Sequence, residues 1–308
     1  GVTIRGDWKK PDGKSPLQGT ILVVQPKASS TGVTDESKAA VVMQPTSEIS
    51  NLTFWYPDQT VGNVTPYPPT VRYGYDGYWG NDYCNVRHCT FVNSYIGIKF
   101  SEKNGGGCPN IFDVYGTPLS EGVVMDMIAD VGRFDHLSFS PKYWANSGLE
   151  GAPSEGALRA VTRAGATAFV MRRNDWSYTC NFDVDGYNVG FHAEHSPVDA
   201  GGRPNGHNYG FNFTDCATGI LISESSGSGI MFTRVNTTGC DVGIHSRGGI
   251  GPVQFLGCNI QGRTSVCTDI SAGVGLMFQE CNVSGPADIM GAQFTSVNCT
   301  YDSEVIVG

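Results

Sequence analysis

Phe232-Thr-Arg-Val-Asn236, Phe255-Leu-Gly-Cys-Asn259, Phe278-Gln-Glu-Cys-Asn282 and Phe294-Thr-Ser-Val-Asn298 repeat one short phrase, an aromatic followed four residues later by Asn. The Phe-to-Phe steps are 23, 23 and 16 residues, and Phe213-Thr-Asp-Cys216 is a weaker copy 19 residues earlier. Self-similarity near this period is the mark of a solenoid. A coil of about 23 residues holds two or three short strands with their turns and buries its apolar side only against the coils above and below. The Phe is expected to stack inside. The Asn is expected at the bend, where it tolerates a left-handed backbone and can hydrogen-bond to the Asn of the next coil. The stretch from Phe211 to Gly285 therefore reads as a parallel β-helix.

Composition agrees. The chain has 308 residues, ordinary for one solenoid; 40% are hydrophobic, only 16% are charged, and 41 are Gly, which favours short strands and tight turns over helices. The net charge is −9 and no basic run occurs, which argues against nucleic acid; no apolar run reaches membrane-spanning length. Ten cysteines without a CxxC zinc pattern point to an oxidising compartment or to buried thiol stacks. Cys258 and Cys281 share one coil position, where a spacing of about 4.8 Å favours an unbonded stack over a disulfide. The opening Gly1-Val-Thr-Ile-Arg5 already reads as strand. A single domain over 1–308 without an N-terminal cap is expected, and an uncapped end could self-associate.

Further strands are expected near Val2–Ile4, Thr20–Val24, Ala39–Met43 and Leu52–Trp55. Residues 57–83 read as an aromatic loop and 196–209 as a Gly/Pro/Asn loop; such insertions either border a binding face or pack on their own coil. Residues 153–165 are the one helical segment, capped by Ser154, with Ala157, Leu158, Val161 and Ala164 at helical spacing. It does not fit a coil and is expected outside it.

A second pattern orients the coils. Gly97, Gly122, Gly190, Gly219 and Gly243 each open an alternating strand. Ile98/Phe100, Val123/Met125, Phe191/Ala193, Ile220/Ile222 and Ile244/Ser246 should point inward. Lys99/Ser101, Val124/Asp126, His192/Glu194, Leu221/Ser223 and His245/Arg247 should point outward, forming one exposed stripe.

On the opening Gly1-Val-Thr-Ile-Arg-Gly6, the Phe-x-x-x-Asn coils and the Gly-Ile coils at 97, 219 and 243, the chain resembles the pectate-lyase-like superfamily of right-handed parallel β-helices. Within it, the chain resembles a secreted glycoside hydrolase-type member, related to exo-β-1,3-glucanases and polygalacturonases. The resemblance is architectural. It implies a secreted protein acting on a polysaccharide. From the residues themselves no cofactor or metal is expected: His192-Ala-Glu194-His195 does not match the HExxH zinc pattern. The paired Asp-Asp and Gly-His-Gly of polygalacturonases are missing, so no catalytic residue carries over.

Glycosidases need two carboxylates across the scissile bond. Asp126 and Glu194 face one way on coils separated by one other, which side chains could narrow to the inverting range of roughly 6.5–9.5 Å. Glu194 is the candidate acid and Asp126 the base, with Asp175 as substitute. His192, His245 and Arg247 flank them as substrate-binding residues. Trp176 and Tyr178, in the turn Asn174–Tyr178, could stack on sugar, and Trp144 joins them from the insertion at 141–165. Asp183-Val-Asp185 puts two carboxylates outward and reads as solvated surface rather than a calcium site. A polysaccharide lyase, and a non-catalytic glycan-binding or structural module such as a tailspike, adhesin or fibre, remain alternatives. Of six sequons, at Asn51, Asn63, Asn212, Asn236, Asn282 and Asn298, the last three are expected to be buried in the ladder, and Asn51 and Asn63 are the favoured glycosylation sites.

Overall fold

The structure, a computed structural model, describes residues 1–26, 38–74, 82–100, 106–269 and 275–308. With 49% strand against 6% helix and a long parallel sheet of many strands, it is consistent with an all-β solenoid. Every pairing between named strands is parallel, and each strand pairs with the equivalent strand one level before and after it.

Each level follows one path. A long strand, or two short ones in line, forms a bent wall; a shorter strand forms a second wall. In the bent wall Glu48–Trp55, Asn85–Phe91, Asn110–Gly116, Arg133–Phe139 and Ser177–Asp185 stack in order. In the short wall Glu121–Met125, Thr167–Met171, Val189–Ala193, Thr218–Ile222 and Cys240–Ser246 do so. Between Thr3–Arg5 with Ile21–Val23 and Gln293–Val297 with Thr300–Tyr301, the bent wall has eleven levels among the described residues.

The bend in the bent wall has one cause in the ten levels after the first, a single left-handed residue per level. Asn51, His88, Asp113, His136, Asn181, Gly210, Arg234, Gly257, Glu280 and Asn298 all sit there with φ between 50° and 69°. The expected Asn is therefore not the bend residue except at Asn298. It lies two positions later, pointing outward, where Asn212, Asn236, Asn259 and Asn282 pair in register. These four are hydrogen-bonded amide to amide at 2.8–2.9 Å and are on the surface, not buried.

The Phe expectation holds: Phe232, Phe255 and Phe278 stack inside with centroids 5.1 and 4.9 Å apart. The outer copies were misaligned. The true preceding copy is Asn208-Tyr-Gly-Phe-Asn212, with the buried Asn208 in the Phe position opposite Phe232. At the other end, Phe294 pairs with Leu276, and Asn298 falls at the bend.

The inward set of the short wall, from Ile98 to Ser246, is buried as expected. Its glycines mark close contact: a Cβ on Gly122 would lie 2.3 Å from the Ala168 carbonyl oxygen, and one on Gly219 2.7 Å from that of Gly243. All ten cysteines are free, so the expected stack is present and disulfides are not.

Three segments leave the levels. Residues 7–19 form a strap closed by the Trp8–Gly19 bridge. Trp8 stacks on His88 at 5.4 Å, and the Gly13 carbonyl accepts from Asn146 Nδ2 at 2.9 Å, so the strap crosses several levels. A short helix, α1 (Lys142–Ala145), was not expected. The expected helix, α2 (Glu155–Gly165), lies outside the levels, capped by Ser154 Oγ accepting from the Ala157 amide. Within 57–83, Val71–Tyr73 is a strand and Tyr67 packs on Tyr56, so Tyr67 and Tyr73 cover their own level while Tyr83 is 59% exposed; residues 75–81, like Ser101 of the stripe, lie outside the described residues.

Candidate functional site

The short wall does bring the stripe residues together, but as an ionic row rather than an open cleft. Asp126 and Glu194 follow strands separated by one other, Thr167–Met171. Arg172, at the end of that intervening strand, stands between them. Its Nε donates to Glu194 Oε1 at 2.8 Å, and its guanidinium lies 3.9 Å from Asp126 Oδ2. Burial works against the Arg172 charge, and the Glu194 hydrogen bond with the Glu194 and Asp126 charges more than offsets it, so its pKa is raised.

The alternation places Asp126 on the exposed stripe, but the structure does not: its side chain is fully buried. The loop after Glu194 folds over it, and Ser196 Oγ donates to Asp126 Oδ2 at 3.1 Å. A carboxylate that meets neither solvent nor an open cleft cannot activate water for attack on a polymer. Glu194 remains partly exposed, 3.5 Å from His192, whose own pKa is lowered by burial against the pull of Glu194. His192 Nε2 meets Ser223 Oγ at 2.9 Å, and His245 pairs with Asp269 at 2.9 Å one level beyond Leu221. Arg247 closes the row near His192, whose charge it opposes.

The other expected residues lie elsewhere. Trp144 is buried in a small cluster with Val92, Leu119 and Leu158, so it cannot meet substrate. Asp175 is half-exposed, 3.8 Å from Arg173. Trp176 and Tyr178 sit at the start of the bent wall, around His207, not beside Glu194.

A groove of about 330 Å³ opens on the outer face of the bent wall, past the bend. Its floor is the outward row Tyr115, Ser138, Asp183 and Asn212, one residue per level. The strap supplies Lys10 and Pro11 as one wall, and α1 supplies Lys142 and Tyr143. Lys10 Nζ stands 5.1 Å from the Tyr115 ring centre and Lys142 Nζ 5.0 Å from that of Tyr143. Neither ammonium has a carboxylate partner among the described residues. Burial, with the Asp183 charge adding to it, pushes Tyr143 up to about 12; burial and Asp113 push Tyr115 up as well, so both phenols keep their protons.

Two carboxylates line this groove, with different surroundings. Asp185 accepts two hydrogen bonds from Arg159 of α2, at 2.7 and 2.8 Å, and one from Ser140 Oγ at 2.9 Å. Among the described residues, Asp183 accepts only from Asn212 Nδ2, at 2.8 Å. Asp183 is thereby the first rung of the amide ladder Asn212–Asn236–Asn259–Asn282, whose donors all point toward it. One lining carboxylate is free to meet a ligand and the other is committed to α2. Among the described residues no group of three or more His, Cys, Asp or Glu could hold a metal ion, and no helix is long and apolar enough to cross a membrane.

The groove was missed because its parts are far apart in sequence. Lys10, Tyr115, Lys142 and Asn212 meet only through the strap and the levels. The one available signal was the Asp183–Asn212 row, hidden by aligning Phe213 rather than Asn208 with Phe232. No family model, curated protein or solved structure matches the chain.

Proposed function

We propose that the chain is a right-handed parallel β-helix that binds an acidic polysaccharide on its outer wall. The parallel pairing of every level supports the helix, and parallel crossovers are right-handed in about 98% of cases. The observation that carries the ligand is the pair of unpartnered ammonium groups, Lys10 and Lys142, held over two tyrosine rings at the mouth of the groove. Their charge fits carboxylate or sulfate groups on a glycan, while the floor beyond them, stacked amides and hydroxyls with the Asp183 carboxylate, meets the glycan's hydroxyl groups with a repeat of about 4.8 Å. The overall charge of −9 works against a polyanion at long range, and a local cationic mouth offsets it at contact. Such polymers are extracellular, which is where the protein acts in this reading.

Hydrolysis by the Asp126–Glu194 pair is not favoured, since Asp126 is buried and Arg172 lies between the two. Titration calorimetry with oligogalacturonate tests the proposal. Binding should be salt-sensitive, and the double variant Lys10→Ala/Lys142→Ala should weaken it at least ~10-fold, roughly 1.4 kcal/mol. Absence of binding, or binding that ignores both lysines, removes the reading. Release of reducing sugar in the same sample would restore the hydrolase alternative, and an unsaturated ultraviolet-absorbing product the lyase.

A further inference from the structure

The bent wall carries a second built surface, before the bend rather than past it. Trp176 and Tyr178, two residues apart on one face, are 46% and 45% exposed. The ring of His207, one level on, stands at 82° to Trp176 and 88° to Tyr178, 5.8 Å from each centre. Beside them lies a hollow of about 130 Å³, walled by Trp176 and Pro252, with His207, Ser228 and Gln254 as its polar groups. The volume exceeds the roughly 30 Å³ of one water and falls below the ~300–1,000 Å³ of drug-sized sites, so it seats a single ring.

The backbone under Trp176 is held from beneath. Trp176 has φ +55°, a conformation that costs a bulky residue free energy. Its amide donates to Asn205 Oδ1 at 2.6 Å, and the Ser177 amide donates to Asn174 Oδ1 at 3.1 Å. Both asparagines are buried. Thr46, Tyr83 and Cys108 take the same conformation at earlier corners, so the levels impose it. At Trp176 it holds a large, half-exposed indole in one place, at little further entropic cost on binding.

We infer that Trp176, Tyr178 and His207 form a second glycan subsite that takes one neutral pyranose residue. An indole face carries partial negative charge and attracts the partly positive C–H groups on the flat side of a sugar ring. The imidazole, hydroxyl and amide in the hollow match ring hydroxyls. Among the described residues, the lining of the hollow holds no carboxylate, lysine or arginine, which is the chemistry of a neutral sugar and differs from the lysine-bearing mouth of the groove. The subsite does not depend on the groove binding anything.

Binding of cellohexaose, maltohexaose and mannohexaose, followed by tryptophan fluorescence and calorimetry, tests it. At least one hexaose should bind. Trp176→Asn, which tolerates the left-handed backbone, and Tyr178→Ala should each weaken that binding at least ~10-fold. Lys10→Ala/Lys142→Ala should leave it within twofold. If no hexaose binds, if both aromatic variants retain affinity within twofold, or if oligogalacturonate displaces the hexaose competitively, the inference is overturned. Loss of oligogalacturonate binding alone would count only against the groove.

Discussion

Seven of the ten cysteines directly follow a left-handed residue: Cys84, Cys89, Cys216, Cys240, Cys258, Cys281 and Cys299 come after Tyr83, His88, Asp215, Gly239, Gly257, Glu280 and Asn298. A left-handed residue turns the chain and interrupts the ladder of strand hydrogen bonds, so nearby amides need another acceptor. The thiols supply it. The amides of Val235, Cys258 and Cys281 donate to the Sγ of Cys258, Cys281 and Cys299, each at 3.4 Å. A buried thiol is small, apolar enough to pack and a weak acceptor, a combination Ala lacks. Burial also pushes Cys89 up to about 12, which keeps that thiol protonated and inert. Cys258→Ala should therefore lower stability by about 1–3 kcal/mol, because it leaves the Val235 amide unsatisfied in the core. An unchanged midpoint in urea unfolding would refute the role. That cysteines stack was legible in their spacing. That they stack because of the bend was not, since bend positions filled by Arg234 and Glu280 carry no left-handed signature.

Elements are fixed to the levels by charge pairs that match their repeats. Arg159 and Arg163 of α2 are four residues apart, about 6 Å along a helix, against about 4.8 Å between levels. Arg159 reaches Asp185 and Asp215 at 2.7 Å, and Arg163 reaches Asp241 at 2.9 Å. The helix thus runs along the stack and ties successive levels. Its cap and apolar spacing were readable locally. Its partners were not, because Asp215 and Asp241 lie 56 and 78 residues away. Arg172 was missed for a related reason. The outward stripe was found by counting from glycines, and the level of Thr167–Met171 has Ala168 in the glycine row. The intervening coil was expected but its outward residue was not, so the two carboxylates looked as if they faced each other with no cation between them. Removing the cation between them is the test. Arg172→Leu removes the half-buried guanidinium that holds Glu194 at 2.8 Å and lies 3.9 Å from the buried Asp126, and should cost about 3–5 kcal/mol. Glu194→Gln, at the exposed side of the row, should cost less. Equal small losses in chemical unfolding would mean that the row is no more than surface charge.

At the scale of the molecule, the strands of each level pair only with those of its neighbours, so away from the strap and α2 stability is approximately a sum of nearest-neighbour terms and damage stays local. The repeat that revealed this was legible because inward Phe residues must stack in register. It slipped where the chain departs from the repeat, at Asn208 and Phe294, because a core position filled by a hydrogen-bonded Asn or shifted by two residues breaks the pattern without breaking the pairing. The central ring of the Phe232–Phe255–Phe278 stack is the position from which both arguments can be tested together. Phe255 is buried and touches an aromatic on each side. Phe255→Ala removes both contacts and should cost about 3–5 kcal/mol. In a single cooperative core that loss would be spread over every amide. In a stack of levels it should appear by hydrogen exchange as faster opening of Ile230–Thr233, Val253–Leu256 and Gly275–Gln279, while Asn85–Phe91 and Asn110–Gly116 keep their protection. A uniform fall in protection across both sets would contradict the nearest-neighbour description.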